Sequence, residues 1–246
     1  MRELLVASAT MIGFADPLRR VKRVFEPGHI RHDRRDNEHL RAILASVLSP
    51  DSCCIDVGAH RGAVLADLVR VAPHGRHIAY EPLPELAAEL AARFPGVDVR
   101  NAALSDQAGE RAFVRVVDDP GWSGFLERPT PSALAVEHVT VRTERLDDAL
   151  PAGFVPALVK IDVEGAEREV LDGALEALAT HRPIVVFEHG AGSADHYGTR
   201  PEDIVARLCG TVGLRIFDLD GGGPYSEDRF AAAFRSGEHV NFLARG

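Results

Sequence analysis

The sequence predicts an α/β protein with a doubly wound, mostly parallel sheet. From residue 52 onward, short apolar runs alternate with segments of helical periodicity, which is typical of a parallel sheet covered by helices. A glycine-containing turn directly follows the first run. The last two runs are separated by the turn-forming residues 221–224, so this closing pair is expected to be antiparallel.

The elements follow from the periodicity in chain order. The predicted strands are residues 53–57, 77–80, 97–100, 158–161, 183–187, 214–219 and 240–244. Helices are predicted after the first strand, over residues 85–94, over residues 164–179 and in a segment that ends near residue 210.

The chain divides into an extension and a main domain. The predicted boundaries are a helical extension over residues 1–50 and a main domain over residues 51–246 with an insertion at about 106–156. Two segments of the insertion, 113–117 and 138–142, alternate like edge strands. The extension has an excess of basic residues and is a candidate cover or homodimer element.

Composition excludes several classes of protein. The chain has 246 residues and a formal net charge of −9, which argues against nucleic acid as a partner because phosphate neutralisation requires clustered Lys and Arg. Its three cysteines cannot form a disulfide framework, which favours a cytoplasmic setting. No apolar run reaches the roughly 18 to 20 residues that span a bilayer, so no membrane insertion is expected.

The first candidate site is the turn DVGAHRG, residues 56–62, between the first strand and a helix. In an open parallel sheet, ligands bind beyond the carboxyl ends of the strands, where such a turn lets the backbone approach them. The spacing Gly-x-x-x-Gly with a preceding acid differs from the Gly-x-Gly-x-x-Gly turn that holds a pyrophosphate. The turn therefore suits a cationic or amino-bearing ligand, and a tight turn without a ligand is the alternative.

The second candidate is Glu81, at the end of the second predicted strand. In nucleotide-binding sheets an acid at this place accepts both hydroxyls of a ribose, whereas its other common role is to cap a helix. Together with the glycine turn, Glu81 indicates a nucleoside ligand without a diphosphate. S-adenosylmethionine fits that description.

The third candidate is the string VKIDVEGAE, residues 159–167, at the end of the fourth predicted strand. Lys160 is one of two lysines in the chain and lies in an apolar run, where an unpaired ammonium would be costly, so it requires a carboxylate partner. If the fifth strand is adjacent, one cleft collects the side chains of both strand ends, Lys160, Asp162, Glu188 and His189. A buried ion-pair network that only holds the sheet is the alternative.

These segments resemble the FkbM-type S-adenosylmethionine-dependent methyltransferases. The resemblance rests on DVGAHRG, Glu81-Pro82, NAALSD at 101–106, VKIDVEGAE and PIVVFEH at 183–189. It implies a seven-stranded, Rossmann-like sheet of the class I methyltransferase type, six strands parallel and the last antiparallel, with S-adenosylmethionine as cofactor. The residues expected to bind this cofactor are Asp56, Gly58, Ala59, His60, Gly62, Glu81, Pro82, Asn101, Ala102, Ala103 and Asp162.

Methyl transfer to a hydroxyl requires alignment of the nucleophile and removal of its proton. We predict that His189 is the general base or positions it, and that Asp162 and Glu188 orient the substrate. Asp162 and Glu188 are also candidate ligands for Mg²⁺, which would lower the pKa of a bound hydroxyl. Lys160 is the alternative to a metal as the cation of the site.

The tentative contacts to the acceptor are Trp122, Ser123 and Glu164, with a lid formed by the loop around Trp122. A core anchor for the insertion is the alternative role of Trp122.

The predicted function is S-adenosylmethionine-dependent O-methylation of a small molecule, either a sugar or a polyketide-type natural product. One alternative is an NAD(P)-dependent oxidoreductase on the same sheet, which the missing Gly-x-Gly-x-x-Gly turn disfavours. A non-catalytic S-adenosylmethionine-binding protein is the other alternative. Methylation of nitrogen rather than oxygen stays open.

Overall fold

A computed structural model describes residues 28–128 and 134–246 of the chain. Contacts divide the chain into two units, Met1–His39 and Leu40–Gly246. The first unit is described from residue 28, where a helix begins. Of the extension predicted over residues 1–50, residues 1–27 lie outside the described residues. Within the described ranges, no helix is both long and apolar enough to cross a membrane.

The elements of the described chain are numbered here in sequence order. The helices are α1 (Gly28–Val47), α2 (Ala63–Val71), α3 (Pro84–Arg93), α4 (Leu146–Ala149), α5 (Glu167–Asp172), α6 (Leu175–His181), α7 (Pro201–Val205) and α8 (Glu227–Ser236). The strands are β1 (Cys53–Val57), β2 (His77–Tyr80), β3 (Asp98–Arg100), β4 (Ala103–Leu104), β5 (Gly109–Val116), β6 (Val136–Glu144), β7 (Pro156–Ile161), β8 (Ile184–Glu188), β9 (Arg215–Asp218) and β10 (Asn241–Arg245). A π-helical turn, Ala206–Thr211, continues α7.

The main sheet of the described residues has seven strands in the order β3-β2-β1-β7-β8-β10-β9. All run in one direction except β10, which is antiparallel to both of its neighbours. The predicted fold class, with its antiparallel closing pair, is confirmed. Asp56 on β1 lies opposite Lys160 on β7, so the carboxyl ends of these two strands meet at one edge.

Strands β1, β2 and β7 are almost wholly buried because helices cover both faces of the sheet. Successive residues point to opposite faces. Ile55 and Val159 pack in the cluster that includes α5, α6 and α8, whereas Cys54 and Leu158 pack in the cluster that includes the end of α1 and α2.

The insertion between β3 and β7 folds into a second sheet of three described strands, in the order β4-β6-β5. The alternating segments 113–117 and 138–142 lie largely in β5 and β6, which pair antiparallel along their whole length. Parallel pairing of β4 with β6 joins this hairpin to the chain that leaves β3. The hairpin is thereby attached beside the carboxyl ends of the main sheet.

The segment predicted as one helix over residues 164–179 instead forms α5 and α6. Glu164 and Gly165 have left-handed φ values of 60° and 110°, which delay the start of α5. The chain breaks again at Gly173, where a Cβ would lie 2.0 Å from the carbonyl oxygen of Ser105. Close approach of another chain segment, which periodicity does not reveal, divides this helix.

Candidate active site

The turn after β1 brings its backbone against the end of β7. Gly58 has a left-handed φ of 75°, and a Cβ there would lie 1.9 Å from the carbonyl oxygen of Asp162. Glycine is therefore required for both conformation and space. His60 also has a positive φ, 49°, which is uncommon for a residue with a side chain, so its surroundings impose the shape of the turn. Gly62, with a φ of 73°, precedes α2.

Lys160 joins the glycine turn to the ends of β1 and β7. Its Nζ donates to the carbonyl oxygen of Gly58 at 2.8 Å, and lies 3.2 Å from Asp56 Oδ1 and 3.4 Å from Asp162 Oδ2. Burial alone would lower the pKa of the ammonium, but the two carboxylates outweigh burial and raise this pKa. Lys160 therefore stays charged. It forms a buried ion-pair network with Asp56 and Asp162, as the alternative interpretation of the sequence describes.

Glu81, at the end of β2, is buried, and both of its carboxylate oxygens accept backbone hydrogen bonds. Oε2 accepts the N–H of His60 at 2.8 Å, and Oε1 accepts the N–H of Leu83 at 3.0 Å. Burial raises the pKa of Glu81 to about 7, although these hydrogen bonds favour the carboxylate. The Asn101 amide braces the same loop by donating to the carbonyl oxygens of Glu81 and Pro82.

A cavity lies at the carboxyl ends of β1, β2 and β7. Its apolar wall includes Leu83, Ala102, Ala103, Leu104, Phe113 and Phe125. Its polar wall includes Gly58, His60, Glu81, Asp162 and Glu164. Besides Phe113 and Phe125, the insertion contributes Pro120, Gly121 and Ser123 to the lining. The lining thus combines apolar side chains with three carboxyl groups.

Carboxylates crowd the ends of β7 and β8. Burial raises the pKa of Glu164 and of Glu167 to about 7, and it raises the pKa of Glu188 well above its ordinary value. The charge of Asp162 adds to this effect at all three glutamates. Of these four acids, Asp162 and Glu164 line the cavity.

The structure brings part of the predicted site together. The predicted residues that line the cavity are Gly58, His60, Glu81, Pro82, Ala102, Ala103, Ser123, Asp162 and Glu164. The predicted residues outside its lining are Asp56, Ala59, Gly62, Asn101, Trp122, Lys160, Glu188 and His189. Several of the second group shape the cavity without facing it: Lys160 and Asp56 hold the glycine turn, and Asn101 braces the loop after β2.

His189 requires a correction, because the structure places it in the core rather than at the cavity. Its side chain is fully buried and its ring stacks on Phe234 and Phe230, with ring centroids 4.8 and 5.8 Å away. Burial lowers its pKa to about 4, and neither ring nitrogen has a hydrogen-bond partner among the described residues. The His189 ring is thus packed in the core and does not line the cavity.

Sequence reasoning missed several residues of the cavity wall. Tyr80 and Leu83 flank Glu81, and Phe113 and Phe125 come from the insertion. Alternation placed Phe113 on a strand, but it could not show that this face of the hairpin turns toward the main sheet. Arg128, which contacts Glu164, lies in a loop without periodicity and carried no recognisable signal.

The prediction of a magnesium site at Asp162 and Glu188 is not supported by the arrangement of side chains in the described residues. No group of three or more His, Cys, Asp or Glu side chains in residues 28–128 and 134–246 is arranged to hold a metal ion. The position beside Asp162 Oδ2 already has a cation, the Lys160 ammonium at 3.4 Å.

The strand order, the antiparallel closing strand and the cavity beyond β1, β2 and β7 define the Rossmann-like class I methyltransferase fold. Residues 56–210 match the family model described as the methyltransferase FkbM domain, and the chain belongs to this family of methyltransferases. The crystal structure of a methyltransferase FkbM from Methylobacillus flagellatus KT is similar, with a TM-score of 0.51 and 18% identity over 81% of this chain and 44% of that chain. At this identity the likeness shows the fold.

Curated relatives share the domain at modest identity. The AMB antimetabolite synthetase AmbE of Pseudomonas aeruginosa is 29% identical over 61% of this chain and 9% of its own length. The 2-O-methyltransferase NoeI of Sinorhizobium fredii is 28% identical over 58% of this chain and 66% of its own length. The hexuronic acid methyltransferase AglP of Haloferax volcanii is 27% identical over 76% of this chain and 74% of its own length. The match thus covers less than two thirds of the first two relatives.

Proposed function

We propose that the chain is an S-adenosylmethionine-dependent O-methyltransferase that acts on a hydroxyl of a small molecule. The observation that carries the proposal is the place of Glu81, in the cavity wall at the end of β2 and hydrogen-bonded to the turn after β1. In nucleotide-binding sheets, an acid at this place accepts the hydroxyls of a ribose. Membership of a methyltransferase family supports the same cofactor.

The residues present fit this cofactor. Each Glu81 oxygen accepts one backbone N–H, which leaves each oxygen with acceptor capacity for a ribose hydroxyl. Ala102, Phe113 and Phe125 offer an apolar wall suited to a purine ring. The carboxylates of Asp162 and Glu164 suit the positively charged part of the cofactor.

When bound, S-adenosylmethionine supplies a methyl group on a positively charged sulfonium. The chain must align the acceptor hydroxyl, accept its proton and exclude water. Glu164 is the cavity residue best suited to accept the proton, since a pKa of about 7 makes its carboxylate available near neutral pH and still basic. We assign Asp162, beside Lys160, to orient the hydroxyl, and the insertion residues of the lining to exclude water.

The acceptor class is inferred from the relatives. A carbohydrate hydroxyl is favoured because two relatives are described as a 2-O-methyltransferase and a hexuronic acid methyltransferase. A natural-product intermediate is the second candidate for the acceptor, since the relative AmbE is described as an antimetabolite synthetase.

Two measurements test the proposal. Isothermal titration calorimetry is expected to show binding of S-adenosylmethionine and no binding of NAD⁺ or NADP⁺. Transfer of tritium from methyl-labelled S-adenosylmethionine to a panel of hexosides, hexuronic acids and hydroxylated polyketides identifies the acceptor. Binding of a nicotinamide cofactor alone would favour the oxidoreductase, and binding of S-adenosylmethionine without transfer to any compound would favour a non-catalytic protein.

The base is tested by Glu164→Gln. This substitution is expected to lower the single-turnover rate of methyl transfer by about 100-fold, the usual contribution of a positioned base. A rate within about threefold of wild type on the same acceptor would remove Glu164 from this role.

A further inference from the structure

A contact beside the cavity joins the insertion to the loop after β7. Arg128 forms an ion pair with the Glu164 carboxylate, and its guanidinium carbon lies 4.8 Å from the centroid of the Trp122 ring. The Arg128 side chain is 7% exposed, although it belongs to a loop. Because a buried charge is costly unless it is paired, these three side chains hold one another in a defined arrangement, which we name the clasp.

The clasp joins two walls of the same cavity. Ser123 and Phe125 line the cavity from the insertion, and Trp122 and Arg128 belong to the same stretch of chain. Glu164 lines the cavity from the loop after β7. Separation of Arg128 from Glu164 would therefore remove the charged contact between the two walls, while Phe113 and Phe125 keep their apolar contacts with Leu83 and Ala166.

The two ends of the insertion are attached by different means. At one end, β4 and β6 pair through backbone hydrogen bonds, with Ala103 opposite Thr143. Beside the clasp, the attachment includes a hydrogen bond from the Leu126 N–H to the Tyr197 hydroxyl at 3.2 Å. Apolar contacts of Phe125 with Leu83 and Ala166 also hold this end. Side-chain contacts break more easily than a paired sheet, so the clasp end is expected to open before the sheet end.

Charges from each neighbouring element act on Glu164. Arg128 of the insertion and Lys160 of β7 favour its ionised form, whereas Asp162 on the same loop and Glu188 at the end of β8 oppose it. Without Arg128, the Glu164 carboxylate would remain beside two other acids. Loss of Arg128 would therefore leave Glu164 without its paired cation among like charges, and the contact between the two loops would be lost.

We propose that the clasp gates the cavity, so that cofactor and demethylated product exchange with solvent when Arg128 separates from Glu164. This inference rests on the proposed function, because it requires S-adenosylmethionine and S-adenosylhomocysteine to occupy the cavity. Clasp opening then controls product release, a step distinct from methyl transfer.

The dissociation rate of radiolabelled S-adenosylhomocysteine, chased with unlabelled compound, measures this exchange and needs no acceptor. Arg128→Met is expected to raise the rate at least about tenfold, because it leaves the Glu164 carboxylate of a buried pair without its cation and removes no residue of the cavity lining. Combining Arg128→Glu with Glu164→Arg reverses the pair and is expected to slow release again relative to Arg128→Met. As a matched control, Arg115→Met removes an insertion arginine that pairs with Glu85 and Glu137, and it is expected to leave the rate unchanged.

A second readout follows the clasp itself. Trp122 is the sole tryptophan of the chain, so quenching of its fluorescence by acrylamide reports its exposure. Quenching is expected to increase in Arg128→Met and Glu164→Gln while circular dichroism shows an intact fold.

The outcomes separate the two proposals. Wild-type protein that binds no S-adenosylhomocysteine overturns the proposed function and the gate with it. Binding with a release rate unchanged in folded Arg128→Met overturns the gate alone, whether or not quenching of Trp122 increases.

Discussion

Lys160 and Asp56 face each other across the pairing of β1 with β7, with 3.2 Å between Nζ and Oδ1. Asp56 is 1% exposed, so the pair is removed from solvent. The same ammonium donates to the carbonyl oxygen of Gly58, which belongs to the turn that lines the cavity. A buried ion pair thus supports the backbone on which the proposed cofactor site depends.

Lys160→Met is expected to reduce the free energy of unfolding by about 3–5 kcal/mol, because it leaves the Asp56 carboxyl buried without its cation. Equilibrium unfolding in urea measures the change. Combining Lys160→Met with Asp56→Leu is expected to recover most of the loss, since an apolar pair of similar volume replaces the ions. A single variant as stable as wild type would contradict this structural role.

Gly58→Ala is expected to lower the free energy of unfolding by at least about 2 kcal/mol and to abolish S-adenosylmethionine binding. The new Cβ would lie 1.9 Å from the Asp162 carbonyl oxygen, at a left-handed φ. Gly96→Ala is the matched control, because nothing lies within 4 Å of its added Cβ. Thermal unfolding and calorimetry should separate the two variants, and equal behaviour would refute the close approach.

Glu81→Gln is expected to raise the Kd of S-adenosylmethionine at least about tenfold, because an amide nitrogen cannot accept the N–H of His60 or Leu83. Calorimetry measures the Kd. Glu89→Gln, an exposed substitution on α3, is expected to leave it unchanged. An unaltered Kd in Glu81→Gln would remove Glu81 from the site.

Affinity for the cofactor is expected to rise with pH. Burial raises the pKa of Glu81 to about 7, so a protonated carboxyl predominates below that pH and a carboxylate, which accepts two hydroxyls, predominates above it. The Kd should therefore fall between about pH 6 and 8, with a smaller fall in Glu81→Gln. Glu164, whose pKa is also about 7, accounts for any pH dependence of the Kd that remains in Glu81→Gln. The double variant with Glu81→Gln and Glu164→Gln should lack this remaining pH dependence.

His189 is expected to make the protein less stable in acid. Its pKa falls from an ordinary 6.5 to about 4 on burial, so the neutral ring is favoured in the folded state. This contribution is fully present above about pH 6.5 and is lost as the pH falls through 4, with a total of about 3 kcal/mol. Urea unfolding at several pH values should show the loss in wild type and a weaker one in His189→Phe, whose ring suits the stack with Phe230 and Phe234. Identical pH profiles of stability in wild type and His189→Phe would contradict this contribution of His189.

The fold was predictable because its strands carry local signals. Strands β1, β2 and β7 are covered on both faces, so each is a continuous apolar run bounded by turns. Glu81 and the glycine turn could be placed together because parallel strands present their carboxyl ends at one edge. The division of residues 164–179 into two helices was not predictable, since it depends on contacts at Gly173 with a distant segment.

The sequence by itself determined the fold class, the family and the edge of the sheet where a nucleoside ligand is expected, because strand periodicity and turn residues are local properties. Tertiary structure decided which side chains face the cavity. It holds Lys160 beneath the glycine turn, stacks His189 on α8 and joins Arg128 of the insertion to Glu164. The physical reason is that the direction of a side chain beyond a strand end depends on packing between segments far apart in the chain, which no local period encodes.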